Sequence, residues 1–231
     1  MVDYLSAGWW QLRAGLHRVT LESLLPGADS GPLIVLLPGV YEPWRFMLPL
    51  ARALQSRGYR VVPVPGLGHN RRPVAEAAQV VESVLDELAE CAAAEGGRAR
   101  VVFLAHSKGG LIGKQLLVQQ VRTPQRRPHL RLLGMVAIAT PFAGSRYASR
   151  FLGRTLNEFG LKHQTILELQ AHAEVNSRIV SVLPRFDPHI PGDRSLAGAR
   201  EILLKASGHF KVLAEQETLE AIVEGIEGLT A

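Results

Sequence analysis

One serine stands between an apolar run and a pair of glycines, in Val101-Val102-Phe103-Leu104-Ala105-His106-Ser107-Lys108-Gly109-Gly110. Five consecutive apolar residues favour a strand buried on both faces, and the glycines let a helix begin at once and pass close to that strand. Such a turn lifts the Ser107 hydroxyl out of the sheet edge, as in a nucleophile elbow. The alternative is an ordinary helix N-cap serine.

A serine hydroxyl is a weak nucleophile at neutral pH and needs a base, which in turn needs an acid to orient it. His209 follows the last predicted strand and is the candidate base. Asp187 lies just beyond an earlier predicted strand and is the favoured acid, whereas Asp193, deeper in the same loop, is the alternative. The order Ser107, Asp187, His209 is that of hydrolases built on a parallel sheet.

Acyl transfer also needs N–H donors for the oxyanion. The N–H of Lys108, directly after the serine, is the first candidate. The N–H of Val40, in the turn after the first buried strand, is the second, with Tyr41 as the substitute. The Lys108 side chain has two interpretations: a solvated lysine whose stem covers apolar surface, or a cation that points into the site and favours anionic or polar substrates.

Strands alternate with helices along the chain, which predicts an α/β fold with a mostly parallel sheet covered by helices on both faces. We predict strands over 33–37, 59–64, 101–105, 132–139, 179–183 and 202–205, and helices over about 43–57, 73–94, 108–121 and 210–229. Asn70 is positioned to cap the second of these helices. Ligands of such sheets bind at the carboxyl ends of the strands, where all the candidate residues fall.

We interpret residues 1–231 as a single domain, because no linker or repeat divides them. Residues 1–24 form a predicted helical extension, with Leu5, Trp9, Leu12 and Leu16 as an apolar stripe that docks on the core or contacts a membrane or lipid. Residues 146–177 are predicted to form an irregular helical cap over the strand ends. With the loop 66–72, this segment is expected to wall the substrate pocket.

Four segments occur in the order found in one enzyme family. They are Ala105-His106-Ser107-Lys108-Gly109-Gly110, Thr140-Pro141-Phe142-Ala143-Gly144-Ser145, Asp187-Pro188-His189-Ile190-Pro191 and Gly208-His209. The chain from about Leu33 to Leu229 thereby resembles bacterial lipases and esterases of the α/β-hydrolase superfamily. The resemblance implies a Ser107–Asp187–His209 triad and ester cleavage through an acyl-enzyme. We expect Tyr41, Phe142 and His106 to contact the substrate.

Composition excludes several other classes of protein. With 47% hydrophobic and 20% charged residues the chain can bury a full core, and the single cysteine, Cys91, excludes an internal disulfide. The net charge is +5, but the arginine pairs Arg71-Arg72 and Arg126-Arg127 lack interleaved aromatic residues, so we predict no nucleic-acid binding. A solvated basic surface is favoured over attraction to anionic membranes or acidic substrates.

The sequence contains no apolar run of the roughly 20 residues that span a membrane, and no secretory signal at its start. We therefore expect a cytoplasmic protein with no integral membrane association. Transient contact with a membrane surface is compatible with this expectation. No cluster has metal-ligand spacing, and no cofactor is expected.

The predicted function is hydrolysis of a small-molecule ester or lipid by a serine nucleophile. A thioesterase or acyltransferase on the same triad is the nearest alternative. A catalytically silent hydrolase fold that binds a partner is the alternative outside enzymes.

Overall fold

The computed structural model describes residues 31–148, 154–192 and 194–231. The predicted helical extension over 1–24, with its apolar stripe, lies outside these ranges. The strands of the described part are β1 (Leu33–Leu37), β2 (Arg60–Val62), β3 (Ala99–His106), β4 (Leu130–Ile138), β5 (Ile179–Leu183) and β6 (Arg200–Leu203). They form one sheet in the order β2-β1-β3-β4-β5-β6, and every neighbouring pair is parallel.

Helices cover both faces of this sheet, which confirms the predicted α/β architecture. The α-helices of the described part are α1 (Leu48–Gln55), α2 (Val74–Ala94), α3 (Lys108–Arg122), α4 (Arg154–Asn157), α5 (Gln164–Gln170) and α6 (Gln216–Thr230). Short 3-10 helices cover Trp44–Met47, Pro65–Leu67, Ala173–Arg178 and Lys211–Ala214.

The hydrophobic core lies in two layers because side chains alternate across each strand. In β1, Leu33, Val35 and Leu37 pack with apolar residues of α2 and α3 on one face. Ile34 and Leu36 of the same strand pack with α1 and α6 on the other face. Burial on both faces explains why β1 is an uninterrupted run of apolar residues, the pattern from which this strand was predicted.

The predicted helix over 43–57 is divided in the structure. A 3-10 turn over Trp44–Met47 precedes α1, and Pro49 stands in the first turn of α1. Proline has no N–H to donate to the carbonyl four residues earlier, so the chain begins a new helix there. The last strand, β6, also lies two residues earlier than predicted, at the exposed edge of the sheet.

Asn70 does not cap α2, so that prediction is wrong. Its side-chain Nδ2 donates instead to the carbonyl of Pro38, at 2.7 Å, in the turn after β1. The N–H of Val74, the first residue of α2, is accepted by both carboxylate oxygens of Glu158, each at 3.0 Å. A carboxylate from the 146–177 segment therefore supplies the cap that the local sequence was expected to provide.

All six strand ends meet at one edge of the sheet, since the strands are parallel. The described part of segment 146–177 lies against this edge, where the N–H of Ser145 donates to the carbonyl of Phe159 at 2.7 Å. None of the helices in the described ranges has the length and apolarity needed to cross a bilayer.

Candidate active site

Ser107 occupies a strained turn between β3 and α3. Its φ is +51°, a region that residues other than glycine rarely adopt, and its side chain makes no capping hydrogen bond to α3. The N–H of Ser107 donates to the carbonyl of Ile138 at the end of the neighbouring strand, at 2.9 Å. The main chain of Ser107 is thereby tied to the end of β4, and its hydroxyl is not used to cap α3.

A hydrogen-bonded series of three side chains begins at this hydroxyl. Ser107 Oγ lies 2.9 Å from His209 Nε2, and His209 Nδ1 lies 2.7 Å from Asp187 Oδ2. The three residues are 7%, 5% and 1% exposed in that order. A neutral imidazole that donates from Nδ1 to the carboxylate is left with Nε2 free to accept the serine proton.

Asp187 is held by the turn that follows it. Its Oδ1 accepts the N–H groups of His189, at 2.8 Å, and Ile190, at 3.1 Å. Burial acts to raise the pKa of Asp187, but the hydrogen bond and charge of His209 and the two N–H donors outweigh it, so the pKa lies below its ordinary value. Asp187 is therefore ionised at neutral pH. The alternative acid, Asp193, lies outside the described residues.

The turn after β1 stands beside the serine. The N–H of Gly39 donates to Glu42 Oε2 at 2.7 Å, and Tyr41 has a φ of +62°. Val40 and Tyr41 both line the pocket that contains Ser107. Lys108 is the first residue of α3, a position at which a main-chain N–H has no acceptor within the helix. These are the positions expected of the oxyanion donors.

The Lys108 side chain does not enter the pocket, and both sequence interpretations of it are wrong. It is fully buried, and its Nζ donates to the carbonyls of Asn70, at 3.0 Å, and Arg72. Burial lowers the pKa of Lys108 to about 8, an effect that the carboxylates of Glu158 and Glu76 partly offset. The side chain therefore ties the loop 66–72 to the first turn of α3.

The pocket over Ser107 has a volume of about 390 Å³ and is mainly apolar. Its walls come from the loops after β1, β3, β4, β5 and β6 and from the helical segment: Val40, Tyr41, Glu42, Phe46, Ser107, Pro141, Ser145, Ala148, Leu156, Phe159, His189, Ile190, His209 and Phe210. The segment 146–177 thus contributes to the wall, as Ala148, Leu156 and Phe159. The loop 66–72 supplies none of the lining residues, although its Arg71 guanidinium lies 5.4 Å from the ring centroid of Tyr41, which does line the pocket.

Tyr41 lines the pocket as expected of a substrate contact, but His106 and Phe142 do not. Phe142 is 3% exposed and packs within the core cluster on the α2–α3 face. The His106 ring is fully buried behind His209, with ring centroids 4.9 Å apart. The expectation that these two side chains contact substrate is corrected: both support the site from within the core.

Three residues with a part in the site were missed from the sequence. Glu42 closes the turn after β1, and His189 lines the pocket with its ring 4.9 Å from that of His209. Ser145 donates from Oγ to the carbonyl of His189 at 2.9 Å and so holds the loop of Asp187. Ser145 and His189 had a signal, since both lie in segments that carry the family resemblance, but those segments do not reveal their partners; Glu42 had none.

Among residues 31–148, 154–192 and 194–231, no group of three or more His, Cys, Asp or Glu side chains could hold a metal ion. The groups gathered at this site are a serine hydroxyl, a histidine ring, a buried carboxylate and main-chain N–H groups, a set that is chemically capable of nucleophilic catalysis.

The comparison with known protein families identifies the class of protein. Residues 34–221 match the family described as the alpha/beta hydrolase family, and the chain belongs to it. Its fold resembles that of a hydrolase from Pseudomonas aeruginosa PA01, with 18% identity, a TM-score of 0.52, and coverage of 87% of this chain and 91% of that one.

Two further solved structures share the fold. The Paleococcus ferrophilus monoacylglycerol lipase is 17% identical, with a TM-score of 0.56 and coverage of 86% of this chain and 96% of its own. The thioesterase domain from the curacin biosynthetic pathway is 14% identical, with a TM-score of 0.59 and coverage of 89% and 93%. At these identities the likeness is one of fold. No curated protein matched the sequence.

Proposed function

We propose that this hydrolase cleaves carboxylic esters through an acyl-enzyme on Ser107. The observation that carries the proposal is the series Ser107 Oγ–His209 Nε2 at 2.9 Å and His209 Nδ1–Asp187 Oδ2 at 2.7 Å, at the base of an apolar pocket. That geometry matches the roles of nucleophile, base and orienting acid.

In the proposed reaction, Ser107 Oγ attacks the ester carbonyl while its proton passes to His209 Nε2. The N–H groups of Lys108 and Val40 stabilise the oxyanion, with Tyr41 as the alternative second donor. The C–O bond to the alcohol breaks and His209 protonates the departing oxygen. A water molecule then gives a proton to His209 and attacks the acyl-enzyme carbonyl. The bond to Ser107 breaks, Ser107 regains its proton from His209, and the acid is released. Asp187 stays ionised throughout and holds the His209 ring.

The pocket favours a neutral acyl group. Neither lysine nor arginine lines it, and its carboxylate, Glu42, is only 2% exposed because it faces the turn after β1. Its volume of about 390 Å³ fits a small-molecule ester or a lipid acyl chain of moderate length. An acyl-thioester or a transfer to another alcohol uses the same residues, and both remain alternatives within this proposal.

The first test combines labelling with turnover. We expect a fluorophosphonate probe to label the wild-type protein and not Ser107→Ala. We also expect that substitution to lower the hydrolysis of nitrophenyl esters by at least about 10⁴-fold. Well-folded protein without Ser107-dependent labelling would contradict the proposal and favour a binding role. An acyl-thioester cleaved far faster than the ester of the same acid would indicate the thioesterase alternative.

The acid is tested by a matched pair of substitutions. Asp187→Asn removes the negative charge that stabilises the His209 imidazolium and should lower kcat by about 10⁴-fold. Asp193→Asn makes the same chemical change in the same loop and should leave kcat within about threefold of the wild type. The reverse ranking in nitrophenyl ester assays would assign the role to Asp193.

A further inference from the structure

A second histidine–carboxylate pair lies behind the first. His106 Nδ1 is 2.9 Å from both carboxylate oxygens of Glu42, and His106 Nε2 is 3.0 Å from the main-chain oxygen of His209. His106 is 0% and Glu42 is 2% exposed. The pair therefore bridges two loops at the site without offering a group to solvent.

The carboxylate makes a further bond on the side of the oxyanion turn. Glu42 Oε2 accepts the N–H of Gly39 at 2.7 Å. A Cβ at Gly39 would lie 2.8 Å from the carboxylate carbon and both of its oxygens, so a larger residue there would force the Glu42 carboxylate to shift. Through Glu42, the pair fixes the turn that carries Val40.

The hydrogen-bond pattern sets the number of protons that the pair holds. The carbonyl of His209 can only accept, so His106 Nε2 must carry a hydrogen. The close contact between Nδ1 and the Glu42 carboxylate needs a hydrogen between them, whichever group carries it. The pair therefore holds one proton more than a neutral imidazole beside a carboxylate, and its net charge is zero. Such a neutral pair can be buried at a far lower cost than a lone carboxylate.

We propose that Glu42 and His106 are positioning residues that share one proton and thereby hold the main chain of His209 and the turn Gly39–Glu42 in place around Ser107. This inference rests on the function proposed above. It assigns neither residue a contact with the reacting atoms. Loss of the shared proton breaks one of the two bonds of the His106 ring and leaves a buried negative charge.

The surroundings of the pair favour retention of the proton at neutral pH. Burial acts to lower the pKa of His106, but the charge and hydrogen bond of Glu42, the carbonyl of His209 and the charge of Asp187 outweigh it, so the pKa lies above the ordinary 6.5. The other rings nearest to His106 are Phe46, Phe210 and that of His209 itself, of which only His209 can titrate. A raised pKa means that the stabilising bonds are complete below pH 6.5 and are lost as the pH rises through the pKa of the folded state.

Three substitutions separate positioning from simple folding. Glu42→Gln is isosteric: its amide oxygen can accept from Gly39 and its NH₂ can donate to His106 Nδ1, with no shared proton needed. Glu42→Leu and His106→Phe remove the bonds while they keep the bulk. We expect Glu42→Leu and His106→Phe to lower kcat about 10- to 100-fold with little change in KM. Glu42→Gln should keep kcat within about threefold at pH 7. In the wild type, kcat should fall as the pH rises and the pair loses its shared proton, and this fall should be absent in Glu42→Gln.

A second readout does not depend on turnover. In ¹⁵N spectra of the histidine rings, His106 should titrate above pH 6.5 in the wild type and should stay neutral across the same range in Glu42→Gln. Glu82→Leu is the control for the loss of a buried carboxylate, since Glu82 is 7% exposed and pairs with Arg126 and Arg127, and none of these three residues lines the pocket. That variant should lose stability while kcat stays unchanged.

The outcomes distinguish the two proposals. An active wild type in which Glu42→Leu and His106→Phe fold and keep both kcat and the pH profile would overturn the positioning role. A His106 ring that shows the same titration in the wild type and in Glu42→Gln would overturn the shared proton. A wild type with no Ser107 labelling and no hydrolysis, but with the expected His106 titration, would overturn the proposed function and leave the shared proton supported.

Discussion

At the scale of single residues, Lys108 is the least expected feature of the site. A cation at the first turn of a helix opposes the helix dipole, and this one is also fully buried. Its charge is compensated by a pair of main-chain carbonyls, those of Asn70 and Arg72, which accept hydrogen bonds from its Nζ. Asn70 in turn donates from its side chain to the carbonyl of Pro38. Through Asn70, the Lys108 side chain therefore supports the turn after β1.

A pH dependence of stability follows from this burial. The pKa of Lys108 falls from 10.5 to about 8, so between these values the unfolded chain binds more protons than the folded protein at this residue. The contribution of Lys108 to the free energy of unfolding therefore rises as the pH increases from about 8 to 10.5. Lys108→Met should remove a rise on the order of 2–3 kcal/mol, measured by urea unfolding across this window.

The control for this prediction is Lys162→Met, which removes the same charge from an exposed position. Lys114 also has a pKa lowered to about 8 by burial, but it is present in the wild type and in both variants, so its effect cancels in the comparison. Parallel pH–stability curves for the wild type and Lys108→Met would refute the prediction.

At the scale of elements, the site depends on how closely α3 approaches the end of β1. A Cβ on Gly109 would lie 1.9 Å from the carbonyl oxygen of Leu37, a distance that no side chain can occupy. The absence of that carbon lets the first turn of α3 rest on the strand that leads into the turn with Val40. Both proposed oxyanion donors are thus brought to the same edge by one glycine.

Gly109→Ala should therefore be severely destabilising. We expect a loss of at least about 3 kcal/mol in the free energy of unfolding, since the backbone of β1 or α3 must move to admit the methyl group. Gly97→Ala is the matched control, because a Cβ there meets only the carbonyl of Ala92, at 3.8 Å. Denaturant unfolding of the two variants compares them directly, and similar stabilities would show that the α3–β1 contact is not tight.

At the scale of the whole molecule, the pocket is built by the sheet edge together with the helical segment that follows β4. Ser145 links the two, since its N–H binds the carbonyl of Phe159 and its hydroxyl binds the carbonyl of His189. Glu158 makes the second link: it accepts the N–H of Val74 and the hydroxyl of Thr165. The wall formed by Leu156 and Phe159 is therefore anchored at several points on the body of the protein.

The size of the acyl group accepted should depend on this wall. Leu156→Trp adds volume to a half-buried position that lines the pocket. We expect kcat/KM for an octanoyl nitrophenyl ester to fall about tenfold or more, and that for the acetyl ester by less than about threefold. Leu167→Trp, at a position of the same segment that is 51% exposed and outside the pocket, should change neither. An equal loss on both esters from Leu156→Trp would place the acyl group elsewhere.

Much of the fold could be predicted from local pattern. The apolar runs located β1, β3 and β5, because a strand buried on both faces is apolar at nearly every residue; Ser181 of β5 is a buried polar exception. The parallel arrangement then placed Ser107, Asp187 and His209 at one edge, since each follows a strand in the same direction. The division of the predicted helix before α1 and the earlier start of β6 were not predicted. Residue propensities do not locate element boundaries well when tertiary contacts compete with them.

The amino-acid sequence by itself determined the alternation of elements, the parallel sheet and the loops in which the chemistry is proposed to reside. Only the tertiary structure decided what Asn70, His106 and Lys108 do, because their partners lie 32, 64 and 36 positions away in the chain, at Pro38, Glu42 and Arg72. Each of these polar side chains is buried and must find a hydrogen-bond partner there. Which partner it finds is set by how the loops pack at the sheet edge, and no local spacing encodes that.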